Sequence, residues 1–332
     1  MAGAEFGDVS VTKAIVTDAD DDIRLDRWFK RHYPGIPHGM VEKQLRKGLI
    51  RLDGKKAKSS DHIHTGQEIQ IKFELTGDAE KKPQKTHVKM SPIEPEDVLM
   101  MQKSVLYKDA NVIVINKPFG LPVQGGSKVS KSVDDLLGAI QFDAPDRPKL
   151  VHRLDRDTSG VLVLARNTKT AAILSRAFSG KDMQKTYWAL VSGTPLDFKG
   201  TIDYKLIKAV AGENSFERVA VDDEDGKYAK TDYRVIEHLA RKFSLMELIP
   251  LTGRTHQLRV HCAAIGCPIV GDHKYGGSMP DAKSLGVENV LHLHARRIQI
   301  PAQGGLKAID VKAPLPPHMK QSFEALGIEV PR

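Results

Sequence analysis

Two cysteines, Cys262 and Cys267, are all that 332 residues contain. With no secretory leader in MAGAEFGDVS, a disulfide scaffold is not expected and a reducing, cytoplasmic setting is. Aromatic residues make up 6% of the chain, with two tryptophans, which argues against an aromatic-rich binding surface such as a sugar cleft. No apolar run approaches the roughly 20 residues that span a bilayer, so no membrane segment is expected. There is no Gly-rich loop ending in Lys-Ser/Thr, no G-x-G-x-x-G between strand and helix, and no G-x-S-x-G elbow. Neither NTP use nor a dinucleotide cofactor is indicated. Thirteen histidines are present, but none stands in zinc-finger or H-E-x-x-H spacing. His256 and His261, five apart, fall on different helix faces, and no metal site is expected.

What the chain does have is positive charge. Fifty Lys/Arg against 42 Asp/Glu give a net charge of +8 and a pI near 9.2, a balance that favours an anionic partner, nucleic acid first. The charge is local. Residues 1–23 hold one Lys and six acids, whereas residues 24–58 hold eleven Lys/Arg and three acids. In that block Leu25, Trp28 and Phe29 sit at i, i+3 and i+4, an apolar stripe for a short helix with Arg24, Arg27, Lys30 and Arg31 opposite. A second helix is predicted over 39–47, with Met40, Val41 and Leu45 inward and Lys43, Arg46 and Lys47 outward. Leu49–Leu52 reads as a strand entering an Asp53-Gly54 hairpin, followed by Lys55 and Lys56. Ile69, Ile71 and Phe73 alternate in a closing strand. An ordinary small domain with a solvated basic face would explain the charge alone. The strings RLDRWF, MVEKQLRKGLIRLDGKK and GQEIQI together resemble the small RNA-binding module named after ribosomal protein S-four. The resemblance implies an α+β module over 23–75 that grips phosphates through Arg27, Lys43, Arg46, Lys47, Lys55 and Lys56.

Residues 76–97 are polar, hold three prolines and show no apolar period, and read as a linker. Beyond them lies a second domain, 98–302, with 303–332 as its C-terminal extension. Val112–Ile115 and Val161–Leu164 read as buried strands, 132–140 and 168–178 as helices, and Lys185–Val191 as a strand with Tyr187, Ala189 and Val191 on one face. Residues 229–237 and 243–249 read as an antiparallel pair, and 255–265 as a helix capped by Thr255. Strands joined partly by helices and partly directly predict a mixed, mainly antiparallel α+β sheet.

Residues 150–167, LVHRLDRDTSGVLVLARN, place a charged loop before a strand that is apolar on both faces. Rigid strands anchor the loops that carry catalytic groups. Arg153 and Arg156 beside Asp155 and Asp157 favour ionised carboxylates, which suits a nucleophile or general base. A turn with surface ion pairs fits the same residues equally well.

The string HRLDRDTSG resembles the signature of the RluA-type pseudouridine synthases, which isomerise uridine in RNA. VINKPFGLPVQGG, MQKTYWALV and TGRTHQLRVHCAAIGCPIVGDHKYG follow in that family's order, over about 98–302. The resemblance implies the pseudouridine synthase fold, with Asp155 as nucleophile and Tyr187 packed on the target base. It implies that Arg254 pairs with Asp155 and that Arg153 fills the space of a flipped nucleotide. Leu258 would wall the base pocket and Lys117 would contact RNA. Each has a plainer reading: Tyr187 as core, Arg254 as a surface arginine, and Lys117-Pro118 as a rigid turn. GIPHGMVEKQLRKGLIRLDGKK, VQGGS and MQKTYWALV are most similar to the RluC branch, which implies 23S ribosomal RNA as substrate. The missing nucleotide and metal motifs predict an enzyme without cofactor, and a monomer is expected. A tRNA substrate, a non-catalytic RNA-binding protein and a glycoside hydrolase are the alternatives. The hydrolase needs a second carboxylate in the cleft.

Overall fold

The computed structural model describes residues 11–73, 92–125, 130–180, 182–209, 218–239, 242–277 and 283–329. The chain divides into two units, Met1–Lys89 and Met90–Arg332.

The first unit comprises β1 (Thr12–Ile15), β2 (Ile23–Arg24), α1 (Leu25–His32), α2 (His38–Arg46), β3 (Ile50–Leu52), β4 (Lys55–Lys56), β5 (His62–Ile63) and β6 (Glu68–Ile71). A four-stranded sheet runs β1-β6-β3-β4, and β2 pairs with β5. Leu25, Trp28 and Phe29 of α1 and Val41 and Leu45 of α2 pack on Ile50, Ile69 and Ile71. Asp53 and Gly54 both take positive φ, 47° and 73°, as a type I′ hairpin between β3 and β4 requires. Two expectations need correction. The sheet includes β1, so the folded unit starts before residue 23; TKAI is short and half-exposed, and its apolar signal is weak. Met40 is 38% exposed rather than inward. The helix begins at His38, and its buried stripe is the i, i+4 pair Val41 and Leu45, one position further on.

Residues 74–91, most of the expected linker, lie outside the described residues. Its last three residues, 95–97, are instead the first turn of α3 (Pro95–Lys103). Pro95 sits at the first helical position, where its missing N–H costs nothing, and Glu96 and Asp97 face the positive helix end.

After α3 come β7 (Val105–Lys108), β8 (Val112–Lys117), α4 (Val133–Leu136), β9 (Lys149–Leu150), β10 (Ser159–Ala165), α5 (Thr168–Ser179), β11 (Gln184–Ser192), β12 (Lys199–Ala209), β13 (Arg218–Val221), β14 (Lys227–Leu239), β15 (Phe243–Pro250), α6 (Gln257–Ala264), β16 (Leu293–Ile300), β17 (Ile309–Lys312) and α7 (Pro317–Leu326). One eleven-stranded sheet runs β13-β12-β14-β15-β11-β16-β10-β8-β7, with β17 on β16 and β9 on β10. Its named strand pairings are antiparallel except the contact of β10 with β16, made at Ser159 and Gly160. The α+β, mainly antiparallel expectation is met.

The central strands are covered on both faces, which is why they read as unbroken apolar runs. Val112, Val114, Val161 and Val163 pack under Leu174 and Ala177 of α5. Ile113, Ile115, Leu162 and Leu164 pack under Met101 of α3 and Leu136 of α4. Along β11, Ala189 and Val191 meet Leu258 and Cys262 of α6, while Trp188 and Leu190 meet Met319 and Phe323 of α7. Residues 303–329 thus complete the core through β17 and α7.

Candidate active site

The loop between β9 and β10 carries Asp155, and three devices hold it. Thr158 N–H donates to the Asp155 carbonyl at 3.1 Å, closing a turn. Gly160 then enters β10 with φ +108°, and a Cβ there would stand 2.2 Å from the Ala295 carbonyl oxygen, so only glycine lets β10 meet β16. Beneath the loop lies Lys117, fully buried at the end of β8. Its Nζ donates to the carbonyls of Pro118 and Leu121 at 2.8 Å and of Arg156 at 2.9 Å. Burial pulls its pKa down to about 7, with Asp157 and Asp155 opposing. The RNA contact expected of Lys117 is therefore incorrect. Its three donors are spent on backbone, one of them on the residue next to Asp155.

Tyr187 comes from β11, where the register against β16 shifts between Thr186 and Tyr187. Such bulges re-aim a side chain, and Tyr187 lies between the two core clusters that meet at the site. Burial and, second, the Asp155 carboxylate push its phenol well above the usual range, so it is a neutral O–H at physiological pH.

The third wall is the turn 252–256 and the start of α6. Buried Gln257 organises it. Its Oε1 accepts from Thr252 Oγ1 at 2.7 Å and Arg254 N–H at 3.0 Å, and its Nε2 donates to the Lys230 carbonyl and Thr231 Oγ1, each at 2.9 Å. The helix cap is His256 rather than Thr255, in left-handed conformation at φ 52°. Arg254 is exposed and donates through Nε to the Tyr228 carbonyl at 3.0 Å. It does not pair with Asp155, which corrects the expectation. That role falls to Arg259, one turn into α6, whose Nη1 lies 3.8 Å from Asp155 Oδ2. The opposite edge of the guanidinium grips Asp272 through Nε (2.8 Å) and Nη2 (2.7 Å). Burial disfavours the Arg259 cation, but the hydrogen bonds and charge of Asp272, with Asp155, more than offset it and raise its pKa. His256 Nε2 lies 3.8 Å from the same Asp155 oxygen.

Asp155, Tyr187, Arg153, Leu258 and Arg254 all line one open cleft of about 410 Å³, together with Lys185, His152, His256 and Arg259. Asp155 is 29% exposed there and, among the described residues, is the only carboxylate in the lining. Arg156 turns away to Asp157 at 3.0 Å. Arg153 and Lys185 make no side-chain hydrogen bond or ion pair among the described residues. His152 accepts from Val163 N–H at 2.8 Å and stacks on Phe178; burial first, then Lys185, drive its pKa down to about 3. In the first unit Arg27, Lys43, Arg46, Lys47, Lys55 and Lys56 are exposed or half-buried on its surface. Arg24 and Arg31 are tied to Asp26 and Asp20. The sequence reading missed Arg259, His256, Asp272 and Lys185. Helical phase held the clue: Arg259 lies inside α6, while Arg254 precedes it.

A half-buried carboxylate, an arginine 3.8 Å from it and a neutral phenol thus face one cleft on the mainly antiparallel sheet. Residues 111–264 match the RNA pseudouridylate synthase family, and the chain belongs to that family. Its relatives extend over nearly all of it. A ribosomal large subunit pseudouridine synthase C of Rickettsia bellii is 36% identical over 90% of this chain and 96% of its own. The mitochondrial RNA pseudouridine synthase 4 of Arabidopsis thaliana is 34% identical over 92% of this chain and 79% of its own. Among solved structures, human RNA pseudouridylate synthase domain containing 4 superposes with a TM-score of 0.60 at 30% identity, covering 71% of this chain and 97% of that one.

Proposed function

We propose that this enzyme converts uridine to pseudouridine in 23S ribosomal RNA, with Asp155 as the nucleophile. The observation that carries the reading is the lone Asp155 carboxylate in the cleft, with Arg259 and Tyr187 beside it. Paired-carboxylate hydrolysis would need a second acid there. Asp272 is sealed under Arg259 with none of its side chain exposed, and Asp157 is held by Arg156.

The reaction breaks the bond from ribose C1′ to ring N1 and forms one from C1′ to ring C5. The C5 proton leaves and N1 gains one, so no atom is lost and no redox or nucleotide cofactor is needed. Asp155 attacks C6 or C1′, or takes a proton from the sugar; in all three its carboxylate is the reacting group, with Arg259 Nη1 3.8 Å away. Tyr187 packs on the base and offers a phenolic O–H rather than a phenolate. The base must leave its stack, at a cost of a few kcal/mol. Arg153, exposed at the mouth, would fill the vacated space, and Lys185 would meet a phosphate. The surface cations of the first unit would add sequence-independent affinity. Several bacterial relatives carry the name of a large-subunit rRNA enzyme, which supports 23S rRNA and, for a bacterial chain, action in the cytoplasm.

The test is pseudouridine mapping of total RNA with and without the gene. Loss of specific 23S sites, restored by wild type but not by Asp155→Asn, is the expected result. Loss confined to tRNA would overturn the substrate, and full rescue by Asp155→Asn would overturn the nucleophile.

A further inference from the structure

We propose that Tyr275 and His256 form a positioning relay that holds Asp155 Oδ2 and leaves Oδ1 as the reacting oxygen; this rests on Asp155 being the nucleophile. Tyr275 Oη accepts from Val219 N–H at 3.0 Å and lies 2.7 Å from His256 Nδ1. No other acceptor reaches the Tyr275 hydroxyl among the described residues, so its proton goes to Nδ1. An Nδ1 that accepts carries no proton, and neutral imidazole then bears its hydrogen on Nε2. That N–H is the one 3.8 Å from Asp155 Oδ2.

Arg259 Nη1 stands at the same distance from the same oxygen. At 3.8 Å neither contact is a hydrogen bond, so the two groups act on the Oδ2 side of the carboxylate by charge and dipole, and Oδ1 is the oxygen offered to substrate. Tyr275 serves both donors, since its ring lies 5.1 Å from the Arg259 guanidinium carbon. The backbone points the same way. His256 is at the helix cap, yet its side chain caps nothing. A histidine in left-handed conformation is strained, and here the strain turns the ring toward Asp155. Burial keeps the imidazole neutral: it lowers the pKa, as do Arg259 and Lys274, while Asp155 and Asp272 oppose.

The variants are His256→Ala, His256→Gln, whose amide nitrogen stands in for Nε2–H, and Tyr275→Phe, which keeps the ring against Arg259. Two readouts are used: steady-state pseudouridine formation across a 23S rRNA concentration series, and nitrogen NMR of histidine-labelled protein without RNA. Ala should lower kcat by about 10²-fold, the loss expected from a misplaced reacting group, with KM unchanged. Gln should recover to within a few-fold of wild type. NMR should report an Nε2–H tautomer in wild type and mixed tautomers in Tyr275→Phe. An Nδ1–H tautomer in wild type overturns the relay whatever the activity. The expected tautomer with undiminished kcat in His256→Ala also overturns it and leaves the nucleophile standing. Full activity in Asp155→Asn would instead overturn the reading beneath it.

Discussion

Replacing Lys117 with methionine separates two roles that sequence alone could not. A lysine reading RNA would lose affinity and keep its rate. The observed lysine is fully buried, with Nζ bound to three carbonyls, one of them that of Arg156 beside Asp155. Lys117→Met should therefore leave the RNA Kd unchanged and lower kcat by about 10²-fold through displacement of the Asp155 loop. Stability gives an independent check. The folded pKa is about 7, against an ordinary 10.5. Below pH 7 folded and unfolded chains both carry the proton, and the cost of burying the charge is fully present. Between pH 7 and 10.5 the unfolded state binds more protons, so stability rises with pH, by about 1.4 kcal/mol per unit at most. From pH 7 to 9 wild type should gain roughly 2–3 kcal/mol relative to the methionine variant. Urea unfolding of both proteins across that range, followed through the catalytic unit's transition, measures the difference. Parallel pH curves would refute the burial argument, and a weakened Kd with normal kcat would restore the RNA-contact reading.

Arg254→Met should stay within a few-fold of wild-type kcat, because its side chain bonds a carbonyl at the cleft rim. Arg259→Met should lower kcat by about 10²-fold and destabilise the fold by roughly 3–5 kcal/mol, because Asp272 is then buried without its partner. Steady-state kinetics and thermal unfolding of the two variants decide between them. Charge removal at Lys43, Arg46, Lys55 and Lys56 together should flatten the salt dependence of RNA affinity by about 0.7–0.9 log units per log unit of salt for each phosphate no longer neutralised. The saturated rate should not change, and filter binding across a salt series reads the slope.

The sequence was most legible where local pattern and tertiary burial agree. Leu25, Trp28 and Phe29 gave α1 because the stripe that faces the core is also a helical period. Val161–Leu164 stood out because α5 covers one face and α3 with α4 the other, so no polar residue interrupts the run. Elements whose partners are distant in sequence were not legible. β16 carries Arg296 and Arg297 in its middle, which masks a strand running through the centre of the sheet. α7 shows few signals until Met319 and Phe323 are seen beneath Trp188. The site divides the same way. Asp155 and Tyr187 were singled out by the family resemblance of the strings that hold them; the apolar pattern alone marked only the strands β10 and β11 nearby. The choice of arginine could not be read from either, because it turns on which guanidinium has a buried counter-ion. Asp272 is thirteen residues beyond Arg259 and eighteen beyond Arg254, and nothing in that spacing says which it holds. Only when α6 winds from Gln257 does Arg259 face both carboxylates, with one edge locked on Asp272 and the remaining nitrogen turned to Asp155. A buried acid that no functional reading of the sequence singled out thus selects which arginine faces Asp155.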